Sequence, residues 1–159
     1  MQAKNVLYLL LSIVVCQLAG VVGGIFTASS VGTWYDGLIK PSFNPPSWIF
    51  SPVWISLYLL MGIALFLVLR KGFGSEGVRS AVILFAFQLV FNTLWSFLFF
   101  GLRAPLAAFL EIAVLLGLIF ITTVKFFQIS KTAGILLVPY LFWVGFASVL
   151  NFFLWSLNR

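Results

Sequence analysis

Hydrophobic residues along this chain neither alternate nor mark one helical face. They run on for about twenty residues at a time, in five runs at about 5–27, 47–69, 78–100, 105–126 and 132–157. Each run is close to the roughly 20 residues that carry a helix across a bilayer. Lipid cannot satisfy free backbone N–H and C=O groups, so such runs must be helical. The pattern predicts an all-α membrane protein, a bundle of five transmembrane helices in a single domain spanning 1–159. The first run has leader-like features, with Lys4 ahead of it and small residues near Ala19. Its apolar stretch from Val6 to Phe26 is long for a leader, and Cys16 follows Ile13-Val14-Val15 without the small residue a lipoprotein cleavage site needs. It is expected to remain as a span. Cys16, Gly20, Gly24 and Ala28 recur within it at spacing four, a stripe that lets helices approach closely. Packing inside the bundle is the expected use, and a dimer seam the alternative.

The break at 28–46 differs from the other connections. It is long and rich in Gly, Ser and Pro, with Trp34, Tyr35, Asp36 and Lys40, and Pro41, Pro45 and Pro46 restrict regular structure. Loops of this length in compact domains tend to be lids or binding loops. Asp36 and Lys40 are spaced to pair locally, a contact worth only about 0–1 kcal/mol when exposed.

Composition agrees with a membrane setting. Of 159 residues 63% are hydrophobic and 8% charged, against about 25% charged in soluble domains. The net charge of +6 comes from single Lys and Arg residues at the ends of apolar runs, so it carries topology rather than nucleic-acid binding. Lys4, Arg70, Lys71, Arg79, Lys125 and Lys131 share one side, against Lys40, Arg103 and Arg159 on the other. The positive-inside rule then puts the N-terminus inside and the C-terminus outside, with the 28–46 loop outside. The chain has one Cys and no His. Intrachain disulfides, zinc and Fe–S sites, and Ser-His or Cys-His nucleophiles are therefore excluded, and no metal site is expected.

Polar residues inside the spans narrow the candidates further. Trp54, Tyr58 and Met61 lie on one face of the second run; Gln88, Asn92, Trp95, Ser96 and Phe99 on one face of the third; Trp143, Ala147, Leu150, Asn151 and Leu154 on one face of the fifth. Gln88 and Asn92 facing lipid would leave amides unsatisfied at a cost of several kcal/mol, so they must point inward. Amides flanked by tryptophans suit a flat ligand with few polar atoms, although such amides also serve simply to bond helices together. Trp34, Trp48 and Trp155 sit near span ends and suit an interfacial belt, whereas Trp95 and Trp143 lie deeper. Glu111 is the one acid inside a span, about 9 Å along its helix from Pro105. A structural acid is the expected role, and a proton or cation relay the alternative.

The loop sequence Trp34-Tyr35-Asp36-Gly37-Leu38-Ile39-Lys40-Pro41-Ser42-Phe43-Asn44-Pro45-Pro46 resembles the W-Y-x-x-L-x-K-P-x-W-x-P-P signature of the TspO/MBR family, the tryptophan-rich sensory and translocator proteins. The resemblance continues at Pro52-Val53-Trp54 with Leu57-Tyr58, at Gln88-Leu89-Val90-Phe91-Asn92, at Pro139-Tyr140-Leu141-Phe142-Trp143, and at Phe146-Ala147-Ser148-Val149-Leu150-Asn151. It covers nearly the whole chain. It implies a five-helix bundle, often a homodimer, in the cell membrane. The family binds porphyrins and other tetrapyrroles, and planar synthetic ligands, in a pocket under the first loop. By this resemblance the ligand-binding residues are Trp34, Trp54, Tyr58, Gln88, Asn92, Trp95, Trp143, Ala147 and Leu150. No cofactor is required; protoporphyrin IX or haem is the implied ligand, and without His a metal-free porphyrin should bind at least as well as haem. A sensor or receptor is the expected function. The alternatives are a transporter of tetrapyrroles or similar hydrophobic molecules, and a light-dependent porphyrin-degrading enzyme using Trp54 and Trp143.

The chain departs from the family pattern in three places. Phe43 stands at the loop's second Trp, Ser47 where many relatives carry Arg, and the end Leu150-Asn151-Phe152-Phe153-Leu154-Trp155-Ser156 lacks the Tyr and Arg of the proposed cholesterol motif. A lid ion pair to Asp36 and cholesterol recognition through that motif are not expected.

Overall fold

A computed structural model describes residues 3–159; the first two residues of the 1–159 domain lie outside the described residues. Five helices carry almost all of the chain: α1 Ala3–Ala28, α2 Phe50–Leu69, α3 Val78–Ser96, α4 Pro105–Ile129 and α5 Lys131–Leu157. All five are long and apolar enough to cross a membrane, and the chain is an integral, multi-pass membrane protein. The helix ends follow local chemistry. A 3₁₀ turn at Ser47–Ile49 leads into α2 after the paired prolines. Pro105 opens α4, where its missing N–H costs nothing. The Ser130 hydroxyl caps α5 by accepting from Ala133 N at 3.4 Å. α4 and α5 extend past the expected 126 and 132 to meet across that single residue, because Ser130 alone can end one helix and cap the next.

Neighbouring helices form a ring in the order α1, α2, α5, α4, α3, closed by α1 against α3. Small residues set the closest approaches. A Cβ on Gly62 would lie 2.6 Å from Ile13 Cα, so α1 and α2 touch backbone to backbone there. Gly20, from the small-residue stripe, faces the Tyr58 ring, while Gly24 one turn on has nothing within 4 Å. The stripe therefore packs at Cys16 and Gly20 and then opens onto space.

The end of the bundle nearer the 70–77 and 130 turns is densely filled. Phe85 and Phe126 stack at 5.5 Å, and Met61, Val68, Ala81, Ile119 and Leu137 are buried around the same axis. Glu111 on α4 is buried, and neither carboxylate oxygen has a hydrogen-bond partner among the described residues.

Candidate functional site

The other end of the bundle is hollow. A cavity of about 380 Å³ lies between α1, α2, α3 and α5, beneath the 28–46 loop. Its wall is mostly aromatic: Trp54, Tyr58, Trp95, Phe99 and Trp143, with Ala147 and Leu150 completing the α5 side. Trp54 stacks on Tyr58 at 5.6 Å, and Trp95 on Phe99 at 5.3 Å, so these rings brace one another at helical spacing.

Two features hold the wall in place. The first is a π turn, Phe97–Gly101, that ends α3. Its wider winding is marked by Leu102 N donating to Phe97 O at 2.8 Å. This turn buries Phe99 and exposes the Phe100 carbonyl to the Ser30 hydroxyl, which donates to it at 2.7 Å. The second is a buried polar chain across three helices. Tyr58 Oη donates to Asn92 Oδ1; Asn92 Nδ2 donates to Tyr140 Oη at 3.0 Å; Tyr140 Oη donates to Gln88 Oε1 at 2.8 Å. This network closes the cavity floor. Nearer the lid, Trp95 Nε1 donates to Asn151 Oδ1 at 2.9 Å, and Asn151 Nδ2 donates to Pro105 O at 2.8 Å.

The loop above is latched rather than loose. Ile39 N donates to Asn158 Oδ1 and Asn158 Nδ2 donates to Ile39 O, both at 2.9 Å, tying the lid to the end of α5. Phe43 packs edge-on against Phe153 at 5.4 Å, so the ring that stands in place of Trp retains its packing. Trp34 packs edge-on against Phe99 at 5.7 Å. Tyr35 is buried and donates to Asn44 Oδ1 at 2.9 Å. Burial pushes its phenol above the ordinary tyrosine range, the Asn44 hydrogen bond lowers it, and the nearby Asp36 raises it; the net shift is upward and keeps the hydroxyl a donor. Lys40 corrects the expected pairing with Asp36. Its Nζ donates to the Asp36 backbone oxygen at 3.1 Å and lies 4.9 Å from the Tyr35 ring centre. The carbonyl and the ring face hold the ammonium, and Asp36's side chain stays exposed.

Six of the residues predicted from the sequence come together on the wall: Trp54, Tyr58, Trp95, Trp143, Ala147 and Leu150. Trp34, Gln88 and Asn92 do not line it. Trp34 stands behind Phe99, and the two amides are buried beneath the floor. The α1 side of the wall, with Gly20, Val21, Gly24 and Thr27, was not in the sequence prediction, nor were Tyr35 and Ser47. The signal was present in the small-residue stripe, but small residues leave a void as readily as they form a contact. Val21 and Ile55 both line the cavity and are about 60% exposed. The chamber therefore opens sideways between α1 and α2, on the lipid-facing flank.

Chemically the wall offers stacking faces and few polar atoms. Trp143 Nε1 is buried and has no hydrogen-bond partner among the described residues. It is a buried donor on a residue of the cavity wall. Among the described residues no cluster of His, Cys, Asp or Glu could hold a metal ion.

The family model described as the TspO/MBR family matches residues 12–156. The chain is 46% identical to the Tryptophan-rich protein TspO of Chlorobaculum tepidum, over 98% of each chain. It is 42% identical to the Tryptophan-rich sensory protein of Cereibacter sphaeroides, over 79% of this chain and 77% of that one. It is 38% identical to the Translocator protein of Homo sapiens, over 87% of this chain and 82% of that one.

Proposed function

The chain belongs to the TspO/MBR family, and on that premise we propose that its lid-end cavity is a receptor site for a planar, largely apolar small molecule of the tetrapyrrole class. The observation that carries this reading is the cavity wall: stacked aromatic faces around about 380 Å³. That volume falls within the range of about 300–1,000 Å³ common for ligand pockets. A flat ring system would stack on Trp54, Trp95 and Trp143. A ligand larger than the chamber would extend through the opening between α1 and α2. Protoporphyrin IX fits the chemistry at least as well as haem, because no His is available to ligate iron.

The closed floor supports binding over passage. A through-route would have to breach the Tyr58–Asn92–Tyr140–Gln88 network and the filled core beyond it. Light-driven porphyrin degradation is a second reading, favoured by two oxidisable indoles, Trp54 and Trp143, facing the same space. The direct test is quenching of tryptophan fluorescence by protoporphyrin IX in detergent, since wall residues are themselves the fluorophores. Saturable quenching is expected; linear, unsaturable quenching would sink the proposal. The basic residues support an inside N-terminus and an outside lid in the cell membrane. With the buried Cys16 changed to Ser, cysteines at Ser75 and Ser42, both exposed, should then label from opposite sides.

A further inference from the structure

The end of the bundle opposite the lid holds a second cavity, separate from the aromatic chamber. It measures about 510 Å³. Lys71 and Glu76 come to it from the loop between α2 and α3, Val78 from the first turn of α3, and Lys125, Gln128 and Ile129 from the last turns of α4.

The loop is built, not slack. Lys71 N donates to Val68 O at 3.1 Å, Ser75 N to Gly72 O at 3.0 Å, and the Ser75 hydroxyl to Lys71 O at 2.6 Å. These bonds hold the Lys71 backbone across the cavity from α4. Among the described residues neither Lys71 nor Lys125 has a carboxylate within the 4.0 Å of an ion pair. Two lysines from different elements thus border one recess, with Glu76 the acid beside them and no ion pair formed among the described residues.

Depth and charge identify the occupant. Lys71 lies two residues past the end of α2, and Lys125 one turn before the end of α4. That is the level of the span ends, where the phosphates of the lipid headgroups lie. Two lysines against one glutamate leave a single net positive charge, which matches a singly charged phosphodiester better than a doubly charged phosphomonoester. Ile129, partly exposed, supplies an apolar side along which an acyl chain would leave. We propose that this cavity is a phosphodiester site, occupied by the headgroup of an anionic phospholipid and held by Lys71 and Lys125.

The test uses the full chain in nanodiscs of phosphatidylcholine doped with phosphatidylglycerol. The phosphatidylglycerol retained after detergent extraction is counted by mass spectrometry. A basic residue at the membrane surface changes anionic-lipid binding by roughly fivefold, so Lys71→Gln with Lys125→Gln should lower retention by ~30-fold. Arg79→Gln with Lys131→Gln removes equal charge from the same end but not from the cavity wall, and should lower retention clearly less than the cavity pair does. Equal losses in the two pairs, or no loss in either, would overturn the proposal. Glu76→Gln keeps the test open should the lysine pair fail to fold. It should raise retention, and a fall would count against the site. Glycerophosphoglycerol, the chainless headgroup, separates the sources. Failure to displace the lipid marks a lipid site, whereas displacement at low concentration would overturn the lipid and leave a soluble phosphodiester.

Discussion

The two ends of this bundle are made from the same five helices and similar residues, yet one is solid and the other hollow. At the packed end Phe85 stacks on Phe126, and Gly62 brings the α1 and α2 backbones together. At the lid end Gly24 faces nothing within 4 Å, and the aromatics brace one another around a void. Hydrophobicity cannot explain the difference, since lipid is as apolar as either end. In a bilayer helices associate through close packing and hydrogen bonds. A cavity persists only where rigid side chains, held from behind, cannot collapse into it. The Tyr58–Asn92–Tyr140–Gln88 network and the π turn provide that support here.

The largest expected effect lies at the packed end. Phe126→Ala should lower stability by ~3–5 kcal/mol, measured by denaturant unfolding in micelles. Phe50→Ala, on the cavity wall, removes atoms that already border empty space and should cost roughly a third of that. Equal costs would erase the distinction between the two ends.

Adding volume should sort the ends the other way. Ala147→Leu fills the chamber and should weaken protoporphyrin binding by ~1–3 kcal/mol, roughly five- to 150-fold, while leaving stability intact. Ala81→Leu, buried at the packed end, should instead lower stability by ~1–3 kcal/mol and spare binding. Fluorescence titration and unfolding of both variants decide the matter. If Ala147→Leu leaves affinity unchanged, the chamber is not the binding site.

The boundary between the ends is the polar floor. Tyr58→Phe keeps the ring stacked on Trp54 but leaves Asn92 Oδ1 without its donor. Interhelical hydrogen bonds in bilayers contribute ~0.6 kcal/mol, with a maximum near 1.7, so a stability loss within that range is expected. A loss above ~3 kcal/mol would show that the floor holds up both halves.

The smallest effects separate binding from photochemistry and test the lid. Trp143→Phe keeps a stacking face and should lower porphyrin affinity by no more than about tenfold, since most of the aromatic contact remains. Light-dependent absorbance decay should vanish in this variant only if Trp143 is oxidised in turnover. The lid is held by Asn158, by aromatic packing and by Lys40 on a carbonyl. Exposed ion pairs are what salt screens, so affinity should change less than about tenfold between low and high salt.

Much of this was legible in the chain. Five apolar runs dictated five helices because lipid leaves the backbone no other choice, and the runs matched the helices to within a few residues. The amides at Gln88 and Asn92 had to turn inward for the same reason, and both are buried. Helical spacing gathered Trp143, Ala147 and Leu150 onto one face. What spacing could not give was partner and depth. Tyr140 reaches across the bundle to occupy both amides, so they stand under the cavity instead of on its wall. Trp34 is held behind Phe99 because the π turn, invisible in an apolar run, swings that ring inward. The small residues of α1 look the same in sequence whether a neighbour fills the space beside them or not; Gly20 meets Tyr58, and Gly24 meets nothing. Local chemistry thus determined which segments span the membrane and which polar groups must hide, because those costs are paid residue by residue. Where the void lies was decided only by the tertiary structure, because a cavity is defined by several helices at once.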